Sequence, residues 1–193
     1  MIGKVVARRE EKVAEIVGHA WELARSQGFQ GLSLRALATR VGMRQPSLYE
    51  YFASKDALYD AMFADANRQL LARLEALSLP ADPRRALKSF FGTFTQFALE
   101  DDVRGQLMFL RPIPGFVPTP ESYSWAQDVL GRAVDLLVAA GVTDPGDIDC
   151  FVAMVAGLIT AQSSNEPGGD RWTRHLDRMI DLHLDDAQPR STT

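Results

Sequence analysis

The chain has 193 residues, 46% hydrophobic and 24% charged, with a formal net charge of −4. Such apolar content and low charge exclude a chain disordered throughout, and a single cysteine, Cys150, excludes a disulfide scaffold. The length suits one core, or one core with a small appended unit.

Residues Met1 to Lys12 lack the apolar run of a secretory signal. The longest uncharged run, Cys150 to Asn165, ends in polar residues, and its apolar part falls short of the roughly 20 residues a membrane span needs. A cytoplasmic protein with no membrane partner is therefore expected. Charge is unevenly spread. Residues 1–60 carry nine Lys and Arg against seven Asp and Glu, whereas residues 61–193 carry twelve against eighteen. A mildly basic head on an acidic body suits one end meeting a polyanion.

Apolar residues recur at helical spacing almost throughout, with no convincing alternating run and no repeat, so the fold class is all-α with about nine helices. Val13, Ile16, Val17, Ala20, Leu23 and Ala24 mark one face of a first helix, with Trp21 beside it as a core residue. Gly28 is expected to end that helix in the left-handed conformation. Ser33 caps a second helix built on Leu34, Leu37, Ala38 and Val41, which Gly42 stops. A very short third helix runs from about Gln45 to Tyr51. Ser54 caps a long fourth helix with the stripe Leu58, Met62, Phe63, Ala66, Leu70, Leu74. Asp82 and Pro83 open the fifth, and the sixth begins near Asp101. Four prolines exclude helix from Arg111 to Pro120, a segment read as a stiff lid, a pocket wall or a helix connection. The seventh helix runs to Gly141, the eighth from Asp147 as cap to Ser163, and the ninth from Asp170 to Leu184. The tail 188–193 is expected to fray.

The first three helices outline a helix-turn-helix module. Its third helix would anchor inward through Leu48 and Phe52 and present Arg44, Gln45, Ser47, Tyr49 and Tyr51 outward. Arg and Gln read guanine and adenine edges in two-point fashion, while hydroxyls suit phosphate oxygens. Lys4, Arg8, Arg9 and Lys12 could add a basic arm, diluted by Glu10 and Glu11.

The block Leu32-Ser33-Leu34-Arg35-Ala36-Leu37-Ala38, then Val41-Gly42-Met43-Arg44-Gln45-Pro46-Ser47-Leu48-Tyr49-Glu50-Tyr51-Phe52-Ala53-Ser54-Lys55, resembles the N-terminal domain of the TetR (tetracycline-repressor-like) family of transcriptional regulators. With Ala20 to Ala24 and Gly28-Phe29 upstream, the resemblance spans about residues 10–63. It implies an all-helical homodimer that binds a palindromic double-stranded operator, usually represses, and releases it when a small molecule enters the C-terminal domain. It implies backbone contacts from Ser33, Arg35, Tyr49, Tyr51 and Lys55, and base reading by Arg44, Gln45 and Ser47. The sequence departs from the family at Arg44, where members often carry a Ser or Thr cap. The expected division is a DNA-binding domain, 1–54, and an effector-binding and dimerisation domain, 55–193, with the fourth helix as the lever between them.

After residue 63 the signals are weaker. Phe90, Phe94, Phe97, Met108 and Phe109 either pack as helical core or line a cavity for an apolar or aromatic effector, with Phe116, Trp125, Met154 and Leu158 as further lining. Small residues Ala153, Ala156 and Gly157, and the stripe Trp172, Leu176, Met179, Ile180 and His183, are the dimer-interface candidates on the last two helices. Dimerisation has its own motive, because one short helix covers few base pairs.

Enzyme chemistry finds little support. His19, His175 and His183 are scattered and no cysteine joins them at zinc spacing. No phosphate-cradling glycine loop and no Gly-x-Ser-x-Gly elbow occurs, so no cofactor or metal is expected. Cys150 reads as a small buried hydrophobe. The alternative function is a helical small-molecule-binding or protein-interaction module that keeps the head without specific DNA recognition.

Overall fold

The computed structural model describes residues 2–187, so the tail lies outside the described residues, as does the Lys4 side chain. Every element among them is helical: α1 (Ile2–Gly31), α2 (Leu34–Val41), α3 (Gln45–Tyr49), α4 (Lys55–Glu75), α5 (Pro83–Leu99), α6 (Asp102–Phe109), α7 (Pro120–Ala139), α8 (Pro145–Asn165) and α9 (Leu176–Asp186), with a 3-10 turn at Thr173–His175. They form two compact units, residues up to 67 with 103–124, and residues 68–102 with those from 125 onward.

Cap chemistry sets many of the boundaries. The Ala36 N–H donates to the Ser33 hydroxyl at 3.1 Å and the Ala57 N–H to that of Ser54 at 3.0 Å. The Arg85 N–H donates to the Asp82 carboxylate at 2.8 Å, with Pro83 in the first turn. Several boundaries differ from expectation, among them the start of α7 at Pro120, whose missing N–H costs nothing in a first helical turn. Gly28 takes φ 71° as a glycine can, but ψ is 171°, which is outside the left-handed helical region, and α1 resumes to Gly31. The cap of α8 is Asp144, whose carboxylate accepts the Gly146 and Asp147 N–H groups, because Pro145 supplies the first helical residue. The last helix starts at Leu176 after the 3-10 turn, instead of at Asp170.

In the first unit, Ile16, Val17, Ala20, Leu23 and Ala24 of α1 are buried, as are Leu37 and Ala38 of α2 and Leu58, Met62 and Phe63 of α4. Trp21 is buried too, its indole N–H donating to Asp65 at 3.0 Å, in keeping with a core role. The proline segment is a helix connection that docks on the start of α4. Asp60 accepts from the Thr119 N–H at 2.7 Å, the Thr119 hydroxyl at 3.0 Å and the Ser122 hydroxyl at 2.7 Å. Beside it the Tyr59 hydroxyl donates to the Phe29 carbonyl at 2.8 Å, and Phe116 meets the Tyr59 ring edge-on at 5.8 Å.

In the second unit, α5 packs on α8 and α9. Phe91 is central, edge-on to Phe90 at 5.2 Å, Phe94 at 6.0 Å and Phe151 at 4.8 Å. Arg84 and Lys88 of α5 reach Asp181 of α9 at 3.0 and 2.7 Å, and Arg84 also reaches Asp185. Hydrogen bonds from Lys88 first and Arg84 second hold the Asp181 carboxyl below its ordinary value. A depressed carboxyl contributes stability above its unfolded pKa and loses it as pH falls through the folded value. Asp181→Asn is therefore expected to lower the melting temperature slightly at pH 7, the pair being partly exposed. The difference from wild type should shrink as pH falls through the folded value, which melting curves across pH would check.

Candidate DNA-binding interface

The interface is built on how α3 is held. Gly42 closes α2 in the left-handed region, φ 73° and ψ 26°, with its N–H donating back to the carbonyls of Ala38 and Thr39. This turns the chain within two residues, so that α3 begins at Gln45. The α3 helix is only five residues long and is fixed by two apolar anchors, Leu48 at 0% and Phe52 at 3% exposure. The residues between those anchors must then face outward. Arg44, Gln45 and Tyr49 are exposed, while Ser47 and Tyr51 are half-buried. Arg44 stands at the cap position of α3 and makes no side-chain cap bond, as its departure from the family pattern implies.

The flanking phosphate candidates also fall on this unit. Ser33 and Arg35 sit exposed at the start of α2. The Ser33 hydroxyl is an acceptor for the helix end and keeps its own proton to donate. Lys55 opens α4 with its ammonium 5.4 Å from the centre of the Tyr59 ring, so its stem is half-buried and its charge directed. On the outer surface the Arg40 guanidinium donates twice to Glu22, at 2.9 and 2.7 Å, and this pairing, with a smaller part from His19, lowers the Glu22 carboxyl. Arg40 thereby braces α2 on α1, a role that sequence reading missed because the partner lies 18 residues away.

The other expected residues are distributed between the units. Met108, Phe109 and Phe116 belong to the first, and Phe116 packs against Tyr59. Phe90, Phe94, Phe97, Trp125, Met154 and Leu158 belong to the second, where Phe90, Phe97 and Leu158 are buried. None of these six lines that unit's open cavity of about 580 Å³, whose walls include Thr95, Gln96, Gln162, Arg174 and Asp177. The Thr95 hydroxyl is buried without a hydrogen-bond partner. This polar set had no motif to announce it.

Ala153, Ala156 and Gly157 share one exposed face of α8 with Val152. Trp172, Met179 and His183 are half-buried, whereas Leu176 and Ile180 are buried inside the second unit, where they seat α9. Cys150 corrects the expectation of burial: it is exposed, because the inward face of α8 is taken by Phe151, Val155, Leu158, Ile159 and Gln162. Among the described residues, no group of three or more His, Cys, Asp or Glu could hold a metal ion, and no helix is long and apolar enough to cross a membrane.

A head in which a long first helix is followed by two short ones joined at a glycine turn, on an otherwise helical chain, defines the helix-turn-helix class of regulator folds. The family model of bacterial regulatory proteins, tetR family, matches residues 16–62. An HTH-type transcriptional regulator of Mycobacterium tuberculosis is 31% identical over 159 residues, which cover 76% of this chain and 64% of that protein. The match thus spans under two thirds of that relative's length. The tetracycline repressor protein class D of Escherichia coli is 39% identical over 66 residues, 34% of this chain and 28% of that one. The crystal structure of the regulatory protein SCO4313 superimposes with a TM-score of 0.72 at 24% identity, covering 95% of this chain and 98% of that one, which shows the shared fold. The head of the chain, residues 16–62, is therefore that of the tetR family of bacterial regulatory proteins.

Proposed function

We propose that the protein is a transcriptional regulator, and not an enzyme, that binds a two-fold symmetric operator as a homodimer, most simply as a repressor. The observation that carries this is α3: five residues pinned by buried Leu48 and Phe52, with Arg44, Gln45 and Tyr49 left exposed. Such a pinned helix can present base-reading groups at little conformational cost, which a solvated bundle helix has no need to do. In this reading residues 1–54 contact DNA and residues 55–193 serve dimerisation and the effector. Ser33, Arg35, Tyr49, Tyr51 and Lys55 contact the backbone, and Arg44, Gln45 and Ser47 face the bases. Gln45→Ala is expected to relax preference at one base-pair position, worth about 1–3 kcal/mol. Lys55→Ala should instead weaken binding to all sequences and flatten the salt slope by about one counterion. Selected-site sequencing with both variants checks the contrast, and an unaltered preference in Gln45→Ala removes it from the reading set.

Response to a small molecule is supported by the relatedness of the head to a tetracycline repressor. We place the effector in the cavity of the second unit, because the α5 rings that were the other candidate are occupied in packing against one another and against Phe151. Its walls combine apolar surface with polar side chains such as Thr95 and Gln96, so they suit a compound that carries hydrogen-bonding groups on an apolar body. Thr95→Leu, which removes the unpartnered hydroxyl and narrows the cavity, is expected to abolish the melting shift produced by any compound that releases DNA. A shift of full size in that variant would move the seat elsewhere. The reading as an interaction module without DNA specificity predicts that neither Gln45→Ala nor Lys55→Ala changes a sequence preference, since none exists.

A further inference from the structure

The helix α1 extends well before the region the family model matches, which begins at residue 16. From that extension Arg9 reaches the far end of α3. Its Nη2 donates to the Glu50 carbonyl at 2.8 Å, across 41 residues of sequence, and its guanidinium lies over the Tyr51 ring, 5.0 Å from the centroid. Glu50 is the residue that closes α3. Carbonyls at a helix end have no partner inside the helix and carry partial negative charge, so a guanidinium there satisfies one of them and complements the dipole.

The opposite end of α3 has no such device: Arg44 makes no side-chain cap bond, and Pro46 has no N–H to offer. A helix this short has little stability of its own. Its pose is therefore set by the two apolar anchors beneath it and by Arg9 at its end. The anchors fix depth, and the guanidinium fixes tilt, together with the ring of Tyr51.

We propose that Arg9 is a positioning residue for sequence discrimination, an α1-borne cap that holds α3 and Tyr51 in the pose that meets the major groove. The proposal rests on the assignment of α3 as the base-reading helix. A direct phosphate contact is the competing role, and the surroundings disfavour it. The groove that Arg8, Arg9, Lys12 and Tyr51 line also holds Glu11 and Glu15, and Lys12 is paired with Glu15 at 2.8 Å. The field offered to a polyanion there is dilute, while the bonds from Arg9 to Glu50 and Tyr51 are made without DNA.

Hydrogen exchange on the free full-length protein and anisotropy titrations on specific and scrambled duplexes, with wild type, Arg9→Gln and Arg9→Lys, test this. In Arg9→Gln the amides of α3 and of Tyr51 and Phe52 are expected to exchange faster. Specific binding should fall about tenfold, while scrambled-duplex affinity falls far less and the salt slope stays at its wild-type value. Arg9→Lys, which can still donate to the carbonyl, should recover part of both. Circular dichroism of each variant confirms the fold, and Arg9 is exposed enough that no loss is expected. Unchanged exchange in α3 would overturn the proposal. So would an equal loss on both duplexes with a flattened salt slope, which would make Arg9 a phosphate contact. Wild type showing no preference between duplexes would instead break the reading of α3 as a DNA reader, with the exchange result still reporting on the cap.

Discussion

If the proposed dimer pairs through α8, Ala156→Glu is expected to convert it to monomers and to reduce affinity for the proposed operator by at least about a hundredfold, because one head alone spans a single half-site. Ala153, Ala156 and Gly157 lie exposed on one face of α8, and Val152 continues that face as an apolar side chain 39% exposed. Small residues let a second helix approach closely, so a partner α8 would meet this face with backbone nearly against backbone. A carboxylate placed there would have to be desolvated without a partner, or would hold the helices apart. Because the residue is exposed in the protomer, its replacement should leave the fold of each chain intact, as unchanged helicity would show. Sedimentation reads the outcome directly. A dimer of unchanged mass would move the interface off α8.

Leu48→Ala is expected to have the second large effect, on the head alone. Leu48 has no exposure and anchors the only helix that carries base-reading candidates. Removing its branched side chain costs about 2–5 kcal/mol through lost burial and the space left behind. Here the neighbouring anchor, Phe52, cannot replace it without rotating α3. Specific DNA binding should be lost, with urea unfolding of the head shifted to lower concentration. Gln45→Ala, at an exposed position one turn earlier, should change stability by less than about 0.5 kcal/mol while altering the bases preferred. The pair separates what holds the helix from what reads with it. Equal stability of Leu48→Ala and wild type would mean that α3 is not held by its anchors.

What could be read from residues alone follows the range of the interactions involved. Ser33, Ser54 and Asp82 were legible as caps because each accepts from an N–H three residues on, and Gly42 because a tight turn needs φ of 73°. The stripe of α4 was legible too: Leu58, Met62, Phe63, Ala66, Leu70 and Leu74 are all buried. Interactions across long sequence separations were not. Asp60 gathers Thr119 and Ser122 from 59 and 62 residues away, and nothing in the periodicity of α4 marks it apart from other polar positions. Arg9 belonged to an arm diluted by acidic neighbours, and only the fold brings it to Glu50. The aromatic residues of α5 illustrate a different limit. Helical spacing places Phe90, Phe91, Phe94 and Phe97 on the chain, but whether they pack or line a cavity depends on what faces them, here Phe151 against Phe91. Cys150 was misjudged because composition alone gives cysteine an inward preference, whereas α8 turns its neighbour Phe151 inward.

The proposed function requires this head to read a specific, two-fold symmetric DNA sequence. Selection of bound duplexes from a randomised library, followed by anisotropy titration of the enriched sequence across a salt series, tests it most directly. A palindrome is expected to be enriched, with half-site centres about one helical turn apart, roughly 34 Å. Two protomers should occupy it, and binding should persist against an excess of competitor DNA. Enrichment of no sequence, with only weak binding that falls steeply with salt, would contradict it and leave the head as a fold kept for another purpose.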